Sequence, residues 1–149
     1  MLISRLFLAV VLAIGLVRGA LADQPMIYAS NGAAIDGYDA VAYFTSHSAV
    51  KGQPSHKVMW TGAVWYFVTS QNREAFEANP RAYAPKFGGY CAYSVSQGRT
   101  AASDPQAWRI EGGRLYLNHN RQVRDVWLKD VEGNIRRANA NWPAVLSKQ

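Results

Sequence analysis

Cysteine occurs once in this chain, at Cys91, and histidine three times, at His47, His56 and His119. One thiol cannot close an internal disulfide, so Cys91 is buried and inert, paired with another molecule, or kept for chemistry. The histidines form no short ligand pair such as H-x-x-H, and each reads first as a solvated surface imidazole. A nucleophile elbow, a phosphate-cradling loop and a zinc-protease motif are all missing. So are internal repeats, low-complexity tracts and any linker long enough to divide domains. The net charge of +6 comes without a dense basic run, which argues against nucleic acid as a partner. The longest apolar run, Leu6 to Val17, has twelve residues. As a helix it would span about 18 Å, short of the roughly 30 Å hydrocarbon core, so a permanent transmembrane anchor is not expected.

That run does fit a secretory signal. Arg5 gives a positive start, and Ala20-Leu21-Ala22 is a small-x-small cleavage site before Asp23. Residues 1–22 are therefore expected to be a signal peptide and 23–149 a single periplasmic or secreted domain. No cysteine follows the cleavage site, so lipid attachment there is not expected. Cleavage would leave 127 residues, enough for one modest core, and would remove Arg5 and Arg18, lowering the charge from +6 to +4. A mildly basic surface of this kind attracts anionic lipid or an acidic partner only weakly. Five Trp and eight Tyr favour a compact aromatic core over disorder.

The pattern along the chain predicts a small α+β domain with two β-hairpins, a short helix and a longer C-terminal helix. Asp36-Gly37-Tyr38-Asp39 is a turn-like cluster, and Val41-Ala42-Tyr43-Phe44 after it reads as a buried strand or the start of one. Lys57 to Val68 reads as a hairpin turning at Thr61-Gly62-Ala63. Ser70 is placed to cap a helix that turns Phe76 inward and stops before Pro80. Pro85 to Gly98 is irregular. A second hairpin turns at Glu111-Gly112-Gly113, with Leu115 and Leu117 on one face and Tyr116 on the other. Asn120 can cap the last helix, whose apolar positions run Val123, Val126, Trp127, Val131, Ile135 and Ala138. Gly133 is a natural place for a break, and Trp142-Pro143 reads as the end of the ordered chain.

Two stretches carry a resemblance. Trp65 to Tyr83 places an aromatic strand before a helix that ends in Phe76, followed by Pro80 and Tyr83. Tyr83 to Gly98 contains Phe87-Gly88-Gly89-Tyr90-Cys91-Ala92-Tyr93. The first resembles the core of the YHS domain family, named for a Tyr-His-Ser signature. The second resembles the exported bacterial branch called the YHS domain-containing (seleno)protein group, as do Gly37 to Phe44 and Ala138 to Pro143. The resemblance implies metal handling in part of the family, through a cysteine pair following the aromatic strand. Those positions match Val68 and Asn72 here, so that site is not carried over. In the exported branch some members place selenocysteine where Cys91 stands, which implies redox or metal chemistry at that atom.

The resulting expectation is a binding module rather than an enzyme, handling a soft metal ion such as copper through Cys91. His119 is its best histidine partner, since it would reach the Cys91 loop if the second hairpin packs beside it, and Met59 is a candidate third ligand. Lys86 and Arg99 are near in sequence to favour a thiolate. The rival reading is a thiol redox protein using Cys91 as nucleophile with an external thiol as partner. A third is a partner-binding domain in which Cys91 is structural, with Tyr90 and Tyr93 filling the core. Asp36, Asp39 and Asp104 read as turn formers.

Overall fold

The computed structural model describes residues 23–147, so the expected signal segment lies outside the described residues. The molecule is an α+β domain, as the pattern predicts. Strands β1 (Ala29–Ser30), β2 (Ala33–Ala34), β3 (Gln53–Trp60) and β4 (Ala63–Phe67) form one sheet in the order β1-β2-β4-β3. Strands β5 (Asp104–Glu111) and β6 (Arg114–Asn118) form a second. Both expected hairpins are present, each closed by two residues with positive φ: Thr61 and Gly62 in the first, Gly112 and Gly113 in the second. That is the backbone geometry whose twist matches paired strands. Among the described residues no helix is long and apolar enough to cross a membrane.

Val41 to Phe44 is not a strand. Ala42–Thr45 is a single helical turn, α1. The cause is Asp39, whose Oδ1 accepts from the backbone N–H groups of Val41 and Ala42 at 2.8 and 3.1 Å. A capping carboxylate satisfies donors that a strand would have turned toward a neighbour. Tyr43 then reaches across to β5, its hydroxyl donating to the Pro105 carbonyl at 2.9 Å. Burial, with the nearby Tyr38, Asp104 and Asp39 adding to it, pushes that phenol well above its ordinary range.

Helix α2 (Ser70–Ala78) buries Phe76 against Trp65 and Phe67. Its cap is Thr69, one residue earlier than expected: Thr69 Oγ1 accepts from Asn72 N at 3.1 Å, while the Ser70 hydroxyl turns to Gln71. The short helix α3 (Pro80–Tyr83) starts on the proline that ends α2, since proline suits a first helical position. Helix α4 (Ala92–Ser96) lies within the stretch that looked irregular.

The C-terminal helical run is stepped. Helix α5 (Arg121–Trp127) is capped by Asn120, whose Oδ1 accepts from Val123 N at 2.8 Å. A tighter turn over Leu128–Asp130 leads into α6 (Val131–Asn141). The break falls at Asp130 rather than Gly133, because Asp130 caps the second piece by accepting from Gly133 N at 3.1 Å. A Cβ on Gly133 would lie 2.2 Å from Asp130 Oδ2, so the glycine makes room for its own cap. Arg137, bonded to Asp130 at 3.0 Å, and the Gly133 N–H hold that carboxyl below its usual range. Trp142-Pro143 does not end the ordered chain: Val145 and Leu146 follow and are buried.

Strand β6 divides the interior. Leu115 and Leu117 point into a core with Trp65, Phe67, Phe76 and Tyr43. Tyr116 points the other way, into a core with Phe87, Tyr90, Val95, Trp127 and Ala138. A strand buried on both faces can serve two cores because successive side chains alternate.

Candidate functional site

Cys91 lies just before α4, where Gly88 and Gly89 bend the chain. Gly88 has φ +61°, and a Cβ there would sit 2.0 Å from the Met26 carbonyl oxygen, so only glycine permits that approach. The Cys91 N–H donates to the Ala101 carbonyl at 3.0 Å, and its own carbonyl accepts from Val95 N at 3.0 Å. The residue is 0 % exposed. Its sulfur is 3.7 Å from Asn118 Oδ1. The same oxygen accepts from Tyr93 N at 3.1 Å, which fixes which amide atom faces the thiol. An amide oxygen carries no hydrogen, so the S–H donates to it. Asn118 is itself fully buried, and its Nδ2 has no hydrogen-bond partner among the described residues.

His119 does arrive beside this segment. Its Nδ1 is 2.9 Å from the Ala102 carbonyl, one residue from the carbonyl that holds Cys91 N. A carbonyl only accepts, so Nδ1 carries the hydrogen. The imidazole is nevertheless exposed while the sulfur is sealed. Met59 is 65 % exposed on β3, an edge strand of the other sheet, and is not brought to Cys91. Lys86 stands over the Phe87 ring at 5.9 Å, and Arg99 is exposed after α4. His47 is exposed and His56 half-buried on β3. Among the described residues no group of three or more His, Cys, Asp or Glu side chains is placed to hold a metal ion.

Val68 and Asn72, expected to stand at the YHS cysteine positions, do come together, on a carboxylate. Val68 N and Asn72 Nδ2 both donate to Asp39 Oδ2, each at 2.8 Å. They present hydrogens, not lone pairs, to the space between them, so they do not fit a soft metal ion. Asp39 is fully buried and accepts four hydrogen bonds in all. It is far more than a turn former: it ties α1 to the end of β4 and the start of α2.

A cleft of about 540 Å³ opens elsewhere, where the tip of the first hairpin, α3, the start of β6 and the end of α6 converge. Trp60, Phe87 and Trp142 form its apolar walls, and Arg81, Lys86 and Arg114 supply its charge. No Asp or Glu lines it. Arg114 Nη1 donates to the Arg81 carbonyl at 2.9 Å, which holds the Arg114 guanidinium against the backbone of Arg81. No local pattern marks this cleft in the sequence, since its lining residues are spread from position 26 to position 142 with no common motif. Asn118 was also missed, although its signal was present: a polar residue in the alternation Leu115-Tyr116-Leu117-Asn118 at a position that faces a core.

Comparison with protein-family models, with curated proteins and with solved structures returned no match.

Proposed function

We propose that this protein is an exported, non-catalytic binding domain of the YHS type, in which Cys91 is a structural residue. The carrying observation is the sulfur itself: 0 % exposed and donating to the oxygen of a buried amide. A nucleophilic or ligating thiol works as a thiolate and needs access and nearby positive charge. This one has a neutral acceptor and a sealed surround, the setting in which cysteine packs as a small hydrophobe. The YHS assignment is supported by the motif from Trp65 to Tyr83, which folds as the aromatic strand β4 followed by α2 and α3. A binding role is supported by the open cleft, whose lining residues do not include Cys91 or Asn118.

The test is the rate at which a thiol reagent modifies Cys91 in the folded and in the unfolded protein. The expected result is modification that proceeds only through unfolding and slows as stability is raised. Rapid alkylation of the native protein, a trappable sulfenic acid, or tight Cu(I) binding lost in Cys91→Ser would each overturn the reading in favour of redox or metal chemistry.

A further inference from the structure

We propose that the cleft between Trp60, Phe87 and Trp142 binds a small organic anion with a flat aromatic body, its carboxylate held by Arg81 and Arg114. This rests on the reading of the protein as a binding domain and names the class of ligand. Three cations share the cleft without a carboxylate among its lining residues. Among the described residues none of the three forms an ion pair. The nearest acid in strand register is Glu111, opposite Arg114, and its carboxylate is engaged by Arg109 at 3.4 Å. Gathered like charges repel, and a bound anion relieves that repulsion. The backbone bond from Arg114 to the Arg81 carbonyl leaves the rest of that guanidinium fork free for a planar carboxylate.

The walls specify the body of the ligand. Trp60 packs edge-on against Trp65 and Phe76, with ring centroids 5.7 Å apart in each pair. Trp142 packs against Phe87 and Tyr90 at 6.0 and 6.2 Å. Both indoles are half-buried and line the cleft. Rings anchored in this way are rigid platforms, and they favour a second ring by stacking. The volume falls within the usual range of about 300–1,000 Å³ for small-ligand sites. An anion without a ring leaves the walls unused, and a ring without a charge leaves the cations uncompensated.

The experiment titrates the protein with 2-naphthoate, and in parallel with 2-naphthylmethanol and acetate, observing the backbone and indole N–H signals by NMR. The expected result is saturable binding of naphthoate with shifts centred on the indoles of Trp60 and Trp142. The neutral alcohol and acetate should bind at least about fivefold more weakly, as should naphthoate to the exposed double variant Arg81→Gln/Arg114→Gln. Should that variant fail to fold, naphthoate affinity of the unaltered protein in rising salt gives the same reading, since screening weakens an exposed ion contact. Absence of naphthoate binding, shifts centred elsewhere, or equal affinity for the alcohol would overturn the proposal. A native-state thiol reaction would instead sink the structural reading of Cys91 and leave this titration unaffected.

Discussion

At the residue scale the most consequential side chain is Asp39. Both of its oxygens are committed, Oδ1 to Val41 N and Ala42 N, and Oδ2 to Val68 N and Asn72 Nδ2. Asp39→Ala would orphan these donors, and each buried unsatisfied donor costs about 1–3 kcal/mol. Urea unfolding is expected to show a loss of at least about 3 kcal/mol. Asp39→Asn should be harmed to a similar degree, because either amide orientation turns an NH2 group toward two donors. A stability for Asp39→Asn within about 0.5 kcal/mol of the unaltered protein would show that the carboxylate is not the hub described. None of this was readable beforehand. Asp beside Gly marks a turn in any sequence, and only the return of β4 and α2 brings Val68 and Asn72 onto the second oxygen. The same holds for Cys91, whose partner Asn118 is 27 positions away along the chain.

At the element scale the hairpins were legible because their signals are local. Alternating β-branched and aromatic residues flank Thr61-Gly62, and a Gly-Gly pair tolerates the positive φ that the second turn demands. The caps of α2 and α5 were legible to within a residue. Thr69 and Ser70 are chemically alike, and the choice between them depends on which residue has the extended backbone before the helix; that is Thr69, at φ −134° and ψ 161°. Thr69→Ala is expected to cost about 1 kcal/mol, and Ser70→Ala to stay within about 0.5 kcal/mol, by thermal or urea denaturation. The reverse order would return the cap to Ser70. The turn at α1 misread as a strand has the same origin. Four apolar residues fit either state, and a side-chain oxygen from Asp39 decided between them.

At the scale of the whole molecule, β6 joins the two cores. Leu117 belongs to one and Tyr116 to the other, one residue apart. Leu117→Ala removes a fully buried side chain and is expected to cost about 2–5 kcal/mol. Because the strand is common to both cores, the loss should appear in both at once. The indole signals of Trp65, in the first core, and Trp127, in the second, should report one coincident unfolding transition. Separate transitions for the two would mean that the cores are independent units and that β6 does not couple them.

Local pattern alone set the class of fold, the two hairpins, the inward face of Phe76, the shared face of Leu115 and Leu117, and the singular status of the thiol. These follow from period, turn chemistry and counting, which act over a few residues. The tertiary structure decided what surrounds each polar group. It sealed Cys91 against Asn118, turned His119 outward beside Ala102, gathered four donors on Asp39, and drew three cations and three aromatic rings around one cleft. Burial and partnership depend on segments far apart in the chain, so no local pattern carries them.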